Sequence, residues 1–190
     1  MTGTRDMGNV ILYIAASIDG YIARENGAVD WLDMVEVEGE DYGYVKFYDT
    51  IDSLVMGSTT YEQVLGFGDW PYPGKQTYVL TGRALETVNP DITITADPPE
   101  KVVADMTASG HENTWLVGGG RLTVSILSLD LVDEIILTII PVILGNGIRL
   151  FPESFAVDRT FELLSTESFP SGLVQLHYRK SDTISSEGSH

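Results

Sequence analysis

A run of three glycines lies between a hydrophobic segment and an amphipathic one. Gly118, Gly119 and Gly120 follow the apolar residues 115–117 and precede residues 122–129, which have a helical pattern. Glycine lets backbone N–H groups approach an anion, and the start of a helix adds a partial positive charge. The segment therefore predicts a cradle for the phosphates of a dinucleotide, with a ligand-free strand-to-helix turn as the alternative. The G-x-G-x-x-G spacing of the Rossmann fingerprint is absent.

Two other apolar runs end in segments of the same kind. Their residues are Gly57, Ser58, Thr59 and Thr60 after the run 53–56, and Thr81, Gly82 and Arg83 after the run 77–80. In an open α/β sheet, ligands bind at the carboxyl ends of the strands, so we expect all three segments to meet in one elongated site. Arg83 is one of only 11 basic residues. It could bind an anion there, or pair with Glu86 at the surface.

The composition argues against several other classes of function. With 28 acidic and 11 basic residues the net charge is -17, which disfavours a nucleic-acid partner. Cysteine is absent and the three histidines are scattered, so we expect neither disulfides, thiolate catalysis nor a metal site. The longest apolar stretch, 135–144, has ten residues, about half of the roughly 20 that cross a bilayer. The N-terminal residues lack the pattern of a signal peptide, so we expect a cytoplasmic protein without a membrane partner.

Hydrophobic patterning predicts alternating strands and helices. Runs rich in β-branched and aromatic residues predict strands at 10–16, 53–56, 77–80, 92–95, 114–117, 134–140, 161–167 and 173–179. Helices are predicted at 42–51, 59–65, 98–109 and 122–129, with Ser58 or Thr59 as the cap of the second. Several strands are apolar throughout, which is typical of a parallel sheet covered on both faces. Turn residues at 169–172 predict an antiparallel hairpin of the last two strands.

These elements are expected to form one domain over residues 9–180. Residues 1–8 and 181–190 are polar and predict flexible tails, the second of which could include residues added for expression. The apolar residues 134–144 and the loop Gly145-Asn146-Gly147 predict an exposed apolar sheet edge. Because pairing with a second copy would cover such an edge, we expect a homodimer.

Six motifs, in order along the chain, resemble those of a known family. Residues 13–23 contain its S-x-D-G-x-I-A loop, in which Asp19 before Gly20 indicates a turn, and residues 55–62 resemble its V-M-G-R-x-T-Y-E segment. The others lie at 78–81, 117–120, 132–138 and 141–151. Over residues 10–179 the chain is similar to the dihydrofolate reductase-like fold, and within it to the C-terminal reductase domain of the riboflavin biosynthesis protein RibD. The resemblance implies a three-layer α/β fold with a mainly parallel central sheet and an antiparallel C-terminal hairpin.

The resemblance also implies a reductase that lays NADPH across the strand ends. Ala16 and Ile22 would line the nicotinamide. The phosphates would lie at two helix starts, formed by Gly57, Ser58, Thr59 and Thr60 and by Gly118, Gly119, Gly120, Arg121 and Leu122. Thr81, Gly82 and Arg83 match the strand end that contacts the adenosine 2'-phosphate. Because Ser58 stands where the family has Arg, NADPH preference would depend on Arg83 and helix-start amides, and NADH is an alternative cofactor.

On the substrate side, the resemblance points to Asp41 and Thr138. Asp41 lies 15 residues before Met56, as does the substrate-pocket carboxylate of dihydrofolate reductase, and Thr138 takes the place of the threonine that hydrogen-bonds it. Such a carboxylate neutralises charge on nitrogen when a C=N bond is reduced. The alternative for Asp41 is a solvated loop within the acidic run 36–41.

Two apolar residues complete the predicted substrate pocket. These are Ile14 and Trp31, of which Trp31 would stack on a flat heterocycle or, alternatively, cover the core. A phosphate on the substrate would need cations, for which Arg24, Lys46, Lys75 and Arg149 are candidates.

The sequence thus predicts an NADPH-dependent reductase acting on a C=N group of a small heterocyclic substrate. It would be of the riboflavin-biosynthesis type, a 5-amino-6-(5-phosphoribosylamino)uracil reductase, or of the dihydrofolate reductase type. The alternative is a non-catalytic nucleotide- or flavin-binding module on the same fold.

Overall fold

Residues 8–152, 155 and 158–181 are described by a computed structural model. Its strands are β1 (Asn9–Ser17), β2 (Tyr21–Ala23), β3 (Ser53–Gly57), β4 (Gln76–Leu80), β5 (Ile92–Thr95), β6 (Asn113–Gly118), β7 (Glu134–Ile140), β8 (Ile148–Arg149), β9 (Phe161–Ser168) and β10 (Val174–Lys180). Its helices are α1 (Tyr44–Asp49), α2 (Ser58–Gly66), α3 (Pro99–Ala108) and α4 (Gly120–Ser128), with a 3-10 helix at Asp30–Val35. The predicted tails 1–8 and 181–190 lie outside the described residues, apart from Gly8 and Ser181.

A central eight-stranded sheet has the order β5-β4-β3-β6-β1-β7-β10-β9. The strands from β5 to β7 are parallel, whereas β10 runs antiparallel to both β7 and β9. A separate small sheet pairs β2 with β8. The predicted fold, a mainly parallel sheet that ends in an antiparallel hairpin, is confirmed.

Helices cover both faces of the sheet, and each face has its own core. Successive strand residues point to opposite faces. Leu12 of β1 therefore packs with Ile126 of α4 on the face that α3 also covers. Its neighbour Ile11 packs on the other face with Phe47 of α1 and Tyr61 of α2. The three layers follow from this alternation.

Element boundaries agree with the sequence prediction where local signals are strong. The strands predicted at 92–95 and 134–140 have those bounds in the structure. By contrast, α1 begins at Tyr44 rather than residue 42, because Tyr42 and Gly43 adopt left-handed conformations with φ of 54° and 78°. The expected cap of α2 by Ser58 or Thr59 is wrong: Ser58 is the first helical residue, and Gly57 before it has no capping side chain.

The homodimer was expected because residues 134–144 were predicted to form an exposed sheet edge, and the structure differs on this point. Strand β7 lies between β1 and β10, so residues 134–140 do not form an edge. Apolar content alone does not distinguish an edge strand from one that is paired on both sides. The outer strands of the described sheet are β5 and β9.

Candidate active site

Two helices begin side by side at one edge of the sheet. Strands β3 and β6 are neighbours, and α2 and α4 follow them directly, with Gly57 and Gly119 at the N-cap positions. A Cβ built on Gly119 would lie 3.1 Å from Thr60 Oγ1 and 3.7 Å from the nitrogen of Gly57. Neither N-cap forms a side-chain capping bond. The first N–H groups of both helices are therefore available to one anion.

The chain around the second helix start fits the phosphates of a dinucleotide. Gly118 and Gly119 have φ of 141° and 99°, which residues with a Cβ rarely adopt. Thr123, one turn into α4, is fully buried, and its hydroxyl has no hydrogen-bond partner among the described residues. Because burial closes Thr123 to a ligand, the fit depends on the conformations of the two glycines.

Ile22, one of the two predicted nicotinamide residues, lies next to this cradle. A Cβ on Gly120 would lie 3.9 Å from Ile22 Cδ1 and 3.5 Å from the carbonyl oxygen of Arg149. Strands β2 and β8 thus lie beside the glycine segment. Ala16, on β1, is 1 % exposed, so very little of its surface could contact a ligand.

Arg83, the predicted contact of the 2'-phosphate, follows the end of β4. Its guanidinium donates two hydrogen bonds of 2.7 Å to Glu62 of α2. The surface ion pair that the sequence suggested as an alternative is thus formed with Glu62 rather than with Glu86. These bonds lower the pKa of the Glu62 carboxyl. The backbone N–H of Arg83 donates to Thr81 Oγ1 at 3.1 Å, which holds the loop at the strand end. A bound phosphate would have to compete with Glu62 for Arg83.

A cavity of about 240 Å³ lies at the ends of β1 and β7, on the face that carries α1. Its apolar and aromatic walls are formed by Tyr13, Ala15, Leu32, Val35, Ile140 and Leu173. Its other lining residues are Glu36, Asp41, Tyr42 and Thr138, and the surface that faces the cavity is almost entirely apolar. The fold therefore brings Asp41 and Thr138, which are far apart in sequence, to one cavity.

The expected hydrogen bond between these two side chains is not formed. The Asp41 carboxylate accepts the N–H groups of Gly43 and Val45, each at 3.0 Å. These bonds lower the pKa of Asp41, so its side chain stays anionic and is a hydrogen-bond acceptor. Thr138 Oγ1 instead accepts Gln175 Nε2 at 3.2 Å. The left-handed turn at Tyr42 and Gly43 explains the difference, because it directs the first amides of α1 to Asp41.

The structure places the two predicted apolar substrate residues outside the cavity lining. Ile14 belongs to the core cluster of the opposite face, and a Cβ built on Gly118 would lie 3.8 Å from its Cδ1. Its neighbours Tyr13 and Ala15 line the cavity instead. Trp31 is 4 % exposed in the cluster behind the cavity, and its indole N–H has no partner among the described residues.

Sequence reasoning missed a polar network in the cavity wall. Gln175 Nε2 lies 3.2 Å from Thr138 Oγ1, 3.4 Å from the carbonyl of Tyr42 and 3.5 Å from the hydroxyl of Tyr13. Gln175 and Thr138 are register partners on β10 and β7, and among the polar residues of β10 nothing in the sequence singles out Gln175. Burial, together with the charge of Asp41, raises the pKa of Tyr13, which remains a neutral hydroxyl. The Tyr42 hydroxyl donates to the carbonyl of Val35 and fixes the cavity mouth.

Asp19 connects the first motif to the loop after β7. Its carboxylate accepts Ser17 Oγ at 2.6 Å and the N–H groups of Leu144 and Gly145 at 3.1 and 2.7 Å. These bonds, led by the one from Ser17, lower the pKa of Asp19 to about 2. Asp19 therefore fixes a turn, as the sequence indicated.

Fold and site together define an α/β protein of the dihydrofolate reductase-like class. The model of the RibD C-terminal domain family matches residues 9–175, and the chain belongs to this family. Reductase activity, generally with NADPH, is associated with the family. No helix among the described residues is long and apolar enough to cross a membrane. The same residues contain no group of three or more His, Cys, Asp or Glu that could hold a metal ion.

Relatives with similar sequences have no assigned activity. The chain is 40% identical over 169 residues to the uncharacterized protein YwjB of Bacillus subtilis (strain 168), covering 88% of this chain and 95% of the relative. It is 30% identical over 190 residues to the uncharacterized protein YyaP of the same organism, covering 94% and 98%.

Solved structures show the same fold. A protein of Shewanella sp. PV-4 assigned provisionally to riboflavin biosynthesis has a TM-score of 0.83 at 32% identity, over 91% of this chain and 99% of that one. A diaminohydroxyphosphoribosylaminopyrimidine deaminase/5-amino-6-(5-phosphoribosylamino)uracil reductase of Thermotoga maritima has a TM-score of 0.70 at 15% identity. That likeness covers 94% of this chain and 58% of the Thermotoga protein.

Proposed function

We propose that the protein is an NADPH-dependent reductase of a C=N bond in a small heterocycle. The observation that supports this most is one continuous row of strand ends. The glycine segments and Arg83 follow β4, β3 and β6, and the cavity begins on the adjoining strands β1 and β7. Such an arrangement puts a dinucleotide cradle beside a pocket large enough for one ring system.

The cofactor would be held mainly by backbone groups. The amides at the start of α2, from Ser58 to Thr60, and those after Gly119 in α4 would bind its phosphates. Arg83 would bind the 2'-phosphate. When bound, NADPH would supply the hydride for the carbon of a C=N bond that is already protonated on its nitrogen, so that the product is a neutral amine.

Hydroxyl groups and one carboxylate would orient the substrate. Tyr13 and Thr138 both accept the amide of Gln175, which leaves their own hydroxyl protons free to donate to ring heteroatoms. The anionic Asp41 would accept an N–H of the substrate and stabilise positive charge on the nitrogen of the C=N bond. The apolar walls exclude water from the reacting bond.

The test is substrate-dependent oxidation of NADPH by the Asp41→Asn variant. Asparagine keeps one acceptor oxygen for the N–H group of Gly43 or Val45, so α1 should be retained while the negative charge is lost. We expect kcat to fall about 10- to 100-fold with NADPH affinity unchanged. Asp49→Asn, at the other end of α1, is the matched control and should match the wild type. NADPH binding without oxidation of any heterocycle would support the non-catalytic module instead.

A further inference from the structure

Among the described residues, the cavity is lined by mainly apolar ones and by no basic one. Glu36 and Asp41 are the two acidic residues of its lining, and none of the described residues that line it is Lys, Arg or His. The backbone N–H groups of Val45 and Gly43 lower the pKa of Asp41, so it is an anion at neutral pH. A phosphate dianion would enter this cavity against like charge and without a cationic partner.

Most of the basic side chains that could serve a phosphate have other partners. Arg24 donates two hydrogen bonds to Asp30, at 2.6 and 2.9 Å. Lys75 Nζ donates to the carbonyl of Ile51 at 2.6 Å and lies over the ring of Tyr48. Arg149 lies 4.8 Å from the ring centroid of Tyr21. Lys46 is exposed on α1 and is not part of the cavity lining.

The shape of the cavity suits one ring system. Its volume is about 240 Å³ and it is open on one side, so a ribosyl phosphate would lie outside its walls, where no described lining residue is a cation. The aromatic and aliphatic side chains of Tyr13, Leu32 and Val35 suit the faces of a flat ring.

We propose that the substrate is an unphosphorylated flat heterocycle, neutral or cationic, whose N–H groups meet Glu36 and Asp41. This inference rests on the proposed function and narrows it: the chain would not use the phosphoribosyl substrate in the name of the Thermotoga protein. Thr138 and Tyr13 would donate to the ring acceptors, and the two carboxylates would accept from its donors.

Calorimetric titration with three probes tests the inference. The probes are 5-amino-6-(5-phosphoribosylamino)uracil, its dephosphorylated ribosyl counterpart, and 2,4-diaminopyrimidine. Each is titrated into the full chain without cofactor and with saturating NADP⁺, which prevents turnover. We expect the dephosphorylated compound to bind at least about tenfold more tightly than the phosphorylated one. Equal or tighter binding of the phosphorylated compound, or no binding by any probe, would overturn the inference.

A charge reversal at the cavity mouth sharpens the test. Glu36→Lys changes an exposed side chain and supplies the missing cation, so the phosphorylated probe should gain about tenfold in affinity. Glu38→Lys, an exposed neighbour outside the lining, should leave both affinities unchanged. Selective loss of the phosphorylated probe by Lys46→Ala would show a phosphate contact and refute the inference. If the chain does not bind NADP⁺ but the probes keep the expected order of affinity, the proposed reductase function is contradicted and the inference about the cavity is not.

Discussion

Arg83 and Glu62 form an ion pair at the strand end where the adenosine 2'-phosphate is expected. Both side chains are exposed, so the pair itself adds little to stability. Its importance is for cofactor choice, because a 2'-phosphate attracts Arg83 and is repelled by Glu62, whereas a free 2'-hydroxyl could donate to Glu62. With Ser58 in place of the family's arginine, Arg83 is the one predicted cationic contact for that phosphate.

Substitutions of Arg83 and of Glu62 should change the preference for NADPH over NADH in opposite directions. Arg83→Ala should weaken NADPH about 10- to 150-fold, the equivalent of roughly 1.5–3 kcal/mol for one charged contact, and leave NADH nearly unchanged. Glu62→Gln should strengthen NADPH severalfold, because a carboxylate next to the phosphate is removed. Titration of both cofactors into both variants measures this. Equal wild-type affinity for NADH and NADPH would contradict the role of Arg83.

Asp19 gives an acid-dependent contribution to stability. Its pKa is lowered from 3.8 to about 2 in the folded chain. A lowered carboxyl pKa stabilises the fold fully above the unfolded-state value, and this contribution is lost as the pH falls from about 4 to 2. At pH 7, Asp19→Asn should therefore melt at a lower temperature than the wild type, and the difference should close as the pH approaches 2. Asp69→Asn, in another loop, is the control and should melt like the wild type. A difference in melting temperature between Asp19→Asn and the wild type that does not change with pH would contradict this role of Asp19.

At the scale of the elements, Gly57 before α2 is a better position than Gly119 before α4 for a test of NADPH binding. Gly57 has φ of −83°, and the nearest atom to an added Cβ, on Leu122, is 4.0 Å away. Gly57→Ala should thus keep the melting temperature and weaken NADPH about tenfold, because a methyl group narrows the space between the two helix starts. Gly119→Ala, at φ 99° and 3.1 Å from Thr60 Oγ1, should instead cost about 1–3 kcal/mol of stability.

Gly66→Ala is the matched control for this pair of variants. It lies at the end of α2 with nothing within 4 Å of an added Cβ. Its melting temperature should equal or exceed that of the wild type, and NADPH binding should not change. Unchanged NADPH affinity of a folded Gly57→Ala protein would place the phosphates elsewhere.

The same elements show what the sequence alone could predict. Strand ends followed by glycines have a local signature, and the structure places Gly57 and Gly119 together because β3 and β6 are neighbours. The cavity has no such signature, since its walls come from the 3-10 helix and from Tyr42 in a left-handed conformation. Ile14 lies outside the cavity lining, which the sequence could not show for a related reason. The run 10–16 is apolar on both faces, so period-two alternation does not reveal which residues face a pocket.

The polar network around Gln175 was missed because it depends on the register between two strands that are far apart in sequence. Gln175 meets Thr138 only because the hairpin turn sets β10 antiparallel on β7 in one register. A shift of one residue would put Gln175 on the other face of the sheet. No local pattern around Thr138 contains this information, and the polar network of the cavity was therefore found only in the structure.

At the scale of the whole molecule, strand β9 is an outer strand of the sheet. Among the described residues it pairs with β10 alone, and Leu163 and Leu164 are 54 % and 41 % exposed. Edge strands with exposed apolar residues pair readily with another chain. We therefore still expect a homodimer, now through β9 rather than residues 134–144.

Sedimentation at micromolar concentration measures this directly. We expect twice the chain mass of 20.8 kDa for the wild type and the mass of one chain for a Leu163→Lys/Leu164→Lys variant. Both side chains are exposed, so the variant should fold. A wild-type mass of one chain would contradict the dimer and leave the proposed reductase untouched.

The central claim is that one row of strand ends holds a dinucleotide next to the Thr138 cavity. A crystal structure of the protein with NADPH tests it most directly. We predict cofactor phosphate oxygens within about 3 Å of backbone N–H groups at the starts of both α2 and α4. We also predict that the nicotinamide ring opens onto the cavity lined by Ala15, Asp41 and Thr138. NADPH bound away from Gly57 and Gly119, or a nicotinamide directed to the opposite face of the sheet, would contradict the account.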